Sequence, residues 1–353
     1  MDFQEKDFIE LDGSYGEGGG QILRTALALS AILRKPIIVH RIRAGRKNPG
    51  LQAQHLQAVQ ALARITEAQA EGVELGSQKI TFSPKKILHG DYQSEVRTAG
   101  SVTLLLQAIL LPLCAAEGSS RVILTGGTHV PWSPPFHYLS DVLLPTLRLF
   151  GVSLEAAIDK WGFYPRGGGR IQLKINPIHE LKPVSLIDRG SLKKIGGLSA
   201  TSNLPKHVAE RQRAQALSRI REELDLDGEA RILYDAPSDG TGSFLFLLAE
   251  FERVLAGFSS LGARGKPAEK VADEAVDSLK YYIESDGCVD PYLADQLVPF
   301  MALARGNSAF TTTRITEHLL TNLWVVQHFL EVKISVKGKK GEGGRIDFIP
   351  FSY

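Results

Sequence analysis

Apolar positions along the chain switch between a period near 3.6 and a period of two, and the switching recurs as a block. A strand-like Phe8-Ile9-Glu10-Leu11 precedes a helical pattern over 21–33, a β-rich run over 36–41 and a second helical pattern over 51–70. Gly76-Ser77-Gln78 then turns into Lys79-Ile80-Thr81-Phe82. A second block gives helix 99–116, strand 121–125, helix 137–150 and, through Gly167-Gly168-Gly169, a closing strand over 170–175. A third gives helix 293–304, strand 309–313, helix 317–330, strand 331–336 and, after Gly341-Glu342-Gly343-Gly344, the run Arg345-Ile346-Asp347-Phe348. The spacing predicts an α/β protein of the α+β type with three βαβαββ units in one large domain, residues 1–183 and 286–353. Residues 184–285 fit no unit. Their order is strand 195–200, helix 207–224, strands 230–234 and 243–251, then helix 268–284, which predicts a small inserted β-α-β-β-α domain. The charged run through Glu210-Arg211-Gln212-Arg213 and Arg221-Glu222-Glu223 reads as a solvated helix face.

Composition narrows the class. The 353 residues are 43% apolar and 23% charged, a globular mixture. Forty-one Lys+Arg against 39 Asp+Glu leave a net charge of +2. Wrapping long duplex needs many uncompensated cations, so that mode is excluded, while gripping a few phosphates is not. The two cysteines, Cys114 and Cys288, offer neither a disulfide framework nor a structural zinc site. Residues 1–7 are charged and lack the apolar core of a signal peptide. The most apolar stretch, 102–116, is interrupted by Gln107 and Pro112 and falls short of the roughly 20 residues of a membrane span. A soluble cytoplasmic protein is expected.

Three segments carry candidate chemistry. Gly16-Glu17-Gly18-Gly19-Gly20-Gln21 lies between a strand and a helix, where backbone N–H groups can hold an anion. It is neither GxGxxG, since position 21 is Gln, nor a Walker loop, since GK[ST] is missing. The glycines can simply make a tight turn; alternatively Glu17, with Arg24 further into the helix, can hold a divalent metal against a nucleotide. Both readings stand on the sequence. Arg43-Ala44-Gly45-Arg46-Lys47-Asn48-Pro49-Gly50-Leu51 sets three cations before a helix that opens with Gln54 and His55, which suits either a phosphate clamp or an exposed basic loop. Of nine histidines, His318 follows Thr316-Glu317 at the start of an apolar helix. A helix N-terminus disfavours the imidazolium and keeps the ring neutral and nucleophilic near neutral pH. A histidine satisfied within the fold is the competing reading, and His55, His129 and His207 near chain turns fit either a ligand or a surface role. No HExxH and no GxSxG is present.

Together these segments resemble the RNA 3′-terminal phosphate cyclases. The resemblance rests on Leu11-Asp12-Gly13 with Gly16-Glu17-Gly18-Gly19-Gly20-Gln21-Ile22-Leu23-Arg24, Ile42-Arg43-Ala44-Gly45-Arg46, Pro49-Gly50-Leu51 and Gln54-His55-Leu56. It continues through Ala99-Gly100-Ser101 with Gln107, Gly126-Gly127-Thr128 with Pro134, Phe163-Tyr164-Pro165, Tyr292-Leu293-Ala294-Asp295-Gln296-Leu297 and His318-Leu319-Leu320-Thr321-Asn322. The family's fold of three βαβαββ units, with an insert in the third, agrees with the independent reading. The resemblance implies that a histidine attacks the α-phosphate of ATP, that AMP passes to an RNA 3′-phosphate, and that the 2′-hydroxyl closes a 2′,3′-cyclic phosphate. Position by position, His318 would be the nucleophile. Gln107, Pro134, Tyr292, Asp295 and Gln296 would bind ATP, and Arg24, Arg43 and Arg46 the RNA phosphates. Glu17 would bind Mg²⁺ or Mn²⁺. Pro135 adjoins Pro134, and only one of the two can hold the family position. Two other readings share the architecture. One is a non-catalytic ribosome-assembly branch that lacks the histidine; the other is an enolpyruvyl transferase, which needs no adenylylated histidine.

Overall fold

The computed structural model describes residues 8–350. Residues 1–7, read above as lacking a signal peptide, lie outside the described residues.

The first block runs β1 (Ile9–Asp12), α1 (Gly20–Leu33), β2 (Ile37–His40), α2 (Ala53–Thr66), β3 (Gln69–Glu71) and β4 (Ile80–Ser83). Its sheet has the order β1-β2-β4-β3, with β1 parallel to β2 and β4 antiparallel to both of its neighbours. Ile37 stands opposite both Ile9 and Phe82, and Val39 opposite Leu11 and Ile80, so the period-two apolar positions share one buried face. The second block runs β5 (Asp91–Glu95), α3 (Val102–Cys114), β6 (Ser120–Gly126), α4 (Phe136–Tyr138), a π-helical turn (Leu139–Leu143), α5 (Leu144–Leu149), β7 (Leu154–Lys160) and β8 (Gly169–Ile175). The π turn stands just before Pro145, which has no N–H to continue an α-helical ladder. The order β5-β6-β8-β7 repeats the first sheet strand for strand and sense for sense.

The third block opens with β9 (Ser185–Leu186) and is then interrupted. β10 (Leu192–Ser202), α6 (Lys206–Leu224), β11 (Arg231–Leu233), β12 (Gly242–Phe251), β13 (Leu255–Leu261) and α7 (Ala268–Glu284) form a separate sheet, β11-β10-β12-β13, with two helices. The block resumes with α8 (Pro291–Leu303), β14 (Ser308–Thr312), α9 (Glu317–Phe329), β15 (Val332–Lys337) and β16 (Gly344–Pro350). Its order, β9-β14-β16-β15, is again the same.

The differences from the sequence pattern have physical causes. α2 stops at Thr66, where Glu67 turns left-handed, and 69–71 pairs as β3 instead of extending the helix. β5, β7 and β13 were not visible: Asp91-Tyr92-Gln93-Ser94-Glu95 and Glu155-Ala156-Ala157 are too polar or too alanine-rich to show alternation. Gly257, Ser259 and Ser260 dilute the apolar pattern of β13.

The core lies where the helices meet. α1 is buried on nearly all sides: Ile22, Leu23, Ala26, Leu27, Leu29 and Ala31 pack into the core, Gln21, Arg24 and Thr25 form a polar strip, and the helix packs against α2, α3 and α9. α8 packs against α9. The sheets flank this bundle and face water: on β8, Ile171, Leu173 and Ile175 are buried while Arg170, Gln172 and Lys174 are exposed. The consequence is that the N-termini of α1 and α9, almost 300 positions apart, open side by side. Among the described residues no helix is long and apolar enough to cross a membrane.

Candidate active site

The glycine-rich turn is a conformational necessity and also a frame. Gly16 and Gly18 sit at φ +56 and +55, which L side chains avoid. A Cβ on Gly20 would fall 2.0 Å from His55 Nε2. Held between them, Glu17 presents its carboxylate to the end of α9. That helix is capped by Thr316, whose hydroxyl accepts from Leu319 N at 3.0 Å, which leaves His318 in the first turn.

Gln21 fixes the state of His318. Its Nε2 donates to the His318 carbonyl at 2.7 Å. A carbonyl can only accept, so the other amide atom, Oε1, faces the ring and accepts from Nδ1. The ring proton therefore sits on Nδ1, and the lone pair is on Nε2. Nε2 points at Glu17 Oε2, 3.4 Å away, and Arg46 Nη2 approaches the same oxygen at 3.1 Å. Partial burial pulls His318 below its ordinary value; Glu17 opposes that pull, and Arg24 and Arg46 add to it. The ring is thus neutral near pH 7.

Beside this group a narrow cleft is lined by Gln21, Arg24, Gln107, Asp295, Gln296 and Asn322. Gln107 donates to Gln296 Oε1 at 2.8 Å, and Gln296 donates to the Tyr292 carbonyl at 2.7 Å. Asn322 joins α9 to α8 by donating to the Asp295 carbonyl at 2.8 Å, and is itself held by Thr25 at 2.7 Å. Burial pushes Asp295 up to about 7, although Arg24 works against it, and burial brings Arg24 down to about 10. Tyr292, 65% exposed, lies one turn before Gln296 on α8. Pro134 is half-buried and Pro135 buried, so Pro134 is the one with surface to offer a ligand. The Pro134 carbonyl accepts from Thr103 at 2.6 Å, one turn before Gln107 on α3.

The profile of the RNA 3′-terminal phosphate cyclases matches residues 15–336. This chain belongs to that family. Among curated relatives, the RNA 3′-terminal phosphate cyclase of Methanopyrus kandleri is 43% identical over 97% of this chain and 99% of its own length. That of Staphylothermus marinus is 45% identical over 96% and 97%, and that of Pyrococcus furiosus 42% over 96% and 98%. The enolpyruvyl transferase NikO from Streptomyces tendae overlays with a TM-score of 0.38 at 11% identity, over 95% of this chain and 47% of that one, a likeness too slight to carry an argument.

In this cyclase-family chain the structure gathers Glu17, Arg24, Arg46 and His318 at one point, and Gln107, Asp295 and Gln296 in the adjoining cleft. Arg43 is placed differently. Its Nη1 donates to the carbonyls of Asn48 at 2.6 Å and Gly50 at 3.2 Å, so its head shapes the basic loop. His55 is buried, accepts from Gln52 N at 3.2 Å as part of the α2 cap, and is driven down to about 3 by burial with Arg24 and Arg43. His129 is buried against Trp161, and His207 is exposed on α6. Among the described residues no three His, Cys, Asp or Glu side chains converge as a metal cage. Glu17 alone suits a Mg²⁺-type ion, which takes one or two carboxylates and completes its shell from phosphates and water.

Two residues that the sequence reading left out shape the site. Gln21 stands in the glycine-rich run without a role of its own there, although a buried amide in the first turn of an apolar helix is itself a signal. Asp290 caps α8 by accepting from Tyr292 N and Leu293 N at 2.8 and 3.0 Å, and takes the Tyr138 hydroxyl at 2.9 Å on both oxygens. It orients the helix that carries Tyr292, Asp295 and Gln296. Burial raises it to about 6.

Proposed function

We propose that this chain uses ATP to convert an RNA 3′-terminal phosphate into a 2′,3′-cyclic phosphodiester, by way of a histidine–AMP on His318 and an RNA–adenylate. The observation that carries this reading is the placement of His318, held by Gln21 with its Nε2 3.4 Å from Glu17 Oε2 and with Arg46 on the same oxygen. In the first step Nε2 attacks the α-phosphorus of ATP and the bond to the β-phosphate oxygen breaks, releasing pyrophosphate. The Nδ1–H stays in place, and its hydrogen bond to Gln21 Oε1 would stabilise the positive charge that the ring acquires. In the second, an oxygen of the RNA 3′-phosphate displaces His318 from AMP. In the third, the neighbouring 2′-hydroxyl attacks the 3′-phosphorus and gives up its proton to solvent as the bond to the AMP phosphate oxygen breaks and AMP departs, a better leaving group than an unactivated phosphate oxyanion.

The nucleotide would enter by the cleft, where Gln107, Gln296 and the Asp295 carboxyl would offer hydrogen bonds, with Tyr292 one turn before Gln296 on α8 and Pro134 held by Thr103 of α3. Arg24 and Arg46 would offset charge on the transferring phosphoryl group. Glu17 would hold Mg²⁺ or Mn²⁺, which when bound supplies further charge neutralisation at the phosphates. Arg43, by holding the basic loop, would position Arg46 and Lys47 for the RNA end. The reading places the protein among cytoplasmic RNA-processing enzymes. Incubation with α-phosphate-labelled ATP, followed by transfer to a 3′-phosphorylated RNA, tests it. Failure of well-folded protein to take label or to yield cyclic ends would sink it.

A further inference from the structure

The three tryptophans have contrasting surroundings. Trp161 is 4% exposed and lies flat on His129 at 4.0 Å, and Trp324 stacks on Tyr15 at 4.1 Å. Trp132 is 97% exposed, with a backbone φ of +61, in the left-handed region that bulky residues ordinarily avoid. A large ring held out in water on a strained backbone adds nothing to the fold, because it leaves its apolar area unburied and costs conformational energy as well. Its turn is nonetheless fixed, with Ser133 Oγ donating to the Val130 carbonyl at 3.1 Å.

Tyr164 is 66% exposed. His129 and Phe163 pair in parallel, so the segments leading to Trp132 and Tyr164 leave that pairing in the same direction. The turn after Tyr164 packs on the segment before α3, since a Cβ on Gly167 would meet the Thr98 carbonyl at 2.8 Å. That segment carries Arg97 and is tied to the first turn of α2 by Ser101 N donating to Gln54 Oε1 at 3.1 Å. On its other side Ser101 Oγ meets Thr103 Oγ1 at 2.8 Å, and Thr103 holds the Pro134 carbonyl, two residues from Trp132. These links run from the first turn of α2, which follows the basic loop, through the segment before α3 to the turns that carry Trp132 and Tyr164. The cations on these segments are available: Arg97 and Lys47 have no ion-pair or hydrogen-bond partner among the described residues, and Arg166 has Asp239 only as an electrostatic neighbour.

We propose that Trp132 and Tyr164 form a platform on which the bases just upstream of an RNA 3′ end stack, with Arg97, Arg166 and Lys47 on the phosphates between them. The proposal rests on RNA 3′ ends being the substrate. Stacking on exposed rings suits single strands of any sequence, because every base has a π face, and unpaired cations track the backbone. The net charge of +2 is no obstacle, since the cations are local.

Two measurements on the full chain separate this from the chemistry. Fluorescence anisotropy of a labelled single-stranded RNA bearing a 3′-phosphate, without ATP, reads the platform. Labelling by ATP, without RNA, reads adenylylation. Trp132→Ala should weaken RNA binding about tenfold, the scale of one lost base stack, and Trp132→Phe should recover most of it, with labelling unchanged. An RNA with abasic positions upstream of its end should bind wild type and Trp132→Ala alike. Unchanged RNA affinity in both Trp132→Ala and Tyr164→Ala would overturn the platform. So would a defect confined to labelling, which would assign Trp132 to the nucleotide. If wild type binds RNA but takes no label, the nucleotidyl-transfer reading fails by itself and anisotropy alone decides the platform.

Discussion

Gln21→Leu isolates the device that orients the nucleophile. Leucine nearly matches the amide in volume, so the packing of α1 against α9 should survive, while both hydrogen bonds to His318 disappear: the 2.7 Å donation to its carbonyl and the acceptance of its Nδ1 proton. A neutral hydrogen bond contributes about 1 kcal/mol net, so the loss is about 2 kcal/mol. If that loss falls on the adenylylation transition state, the rate drops roughly 30-fold. The assay is single-turnover labelling with α-phosphate-labelled ATP across a pH series, alongside thermal unfolding. Wild type should lose rate as pH falls through the His318 value, which lies below about 6.5, because only the neutral ring attacks. The variant should be slower on the plateau as well, since either ring nitrogen can then carry the proton. A plateau rate within about twofold of wild type in a stably folded variant would refute the tautomer argument.

Glu17→Ala should cut labelling about a hundredfold, the scale of one lost electrostatic contact at a transferring phosphoryl group. Chelating divalent metal should silence wild type, and labelling that persists in chelator would exclude the metal role. Arg43→Ala releases the Asn48 and Gly50 carbonyls, so the KM for RNA should rise about tenfold with labelling by ATP little changed; unchanged turnover at limiting RNA would count against it. Asp295 sits near 7 in the fold against an ordinary 3.8, so the unfolded chain gives up its proton first and stability is lost as pH rises between those values. The Tm of Asp295→Asn relative to wild type should therefore climb across that window, and a flat difference would show that burial does not hold the carboxyl protonated.

The three-fold recurrence was legible because helices α1, α3, α8 and α9 and the closing strands β4, β8 and β16 carry strong apolar periodicity next to glycine turns. What escaped was held by pairing alone. β3 is three residues long with an exposed-intermediate-exposed pattern, and β9 is two residues whose place depends on β14, more than 120 positions away. The site was half legible for a related reason. His318 could be singled out from its cap, Thr316, and Glu17 from its glycine frame, because both signals are local. That Gln21 would set the ring tautomer and Asp290 would aim α8 depends on contacts between distant helices. Arg43 shows the opposite failure: a cation that sequence assigns to phosphate has its head engaged by its own loop.

The central claim is a covalent bond between His318 Nε2 and AMP. Wild type and His318→Ala, incubated with α-phosphate-labelled ATP and Mg²⁺ or Mn²⁺, can be compared on a denaturing gel with acid and alkali washes. The account predicts label on wild type that is lost in acid, survives alkali, and is missing from an equally folded His318→Ala. Label on the variant, or none on folded wild type with either metal, would contradict it and leave an RNA-binding protein without this chemistry.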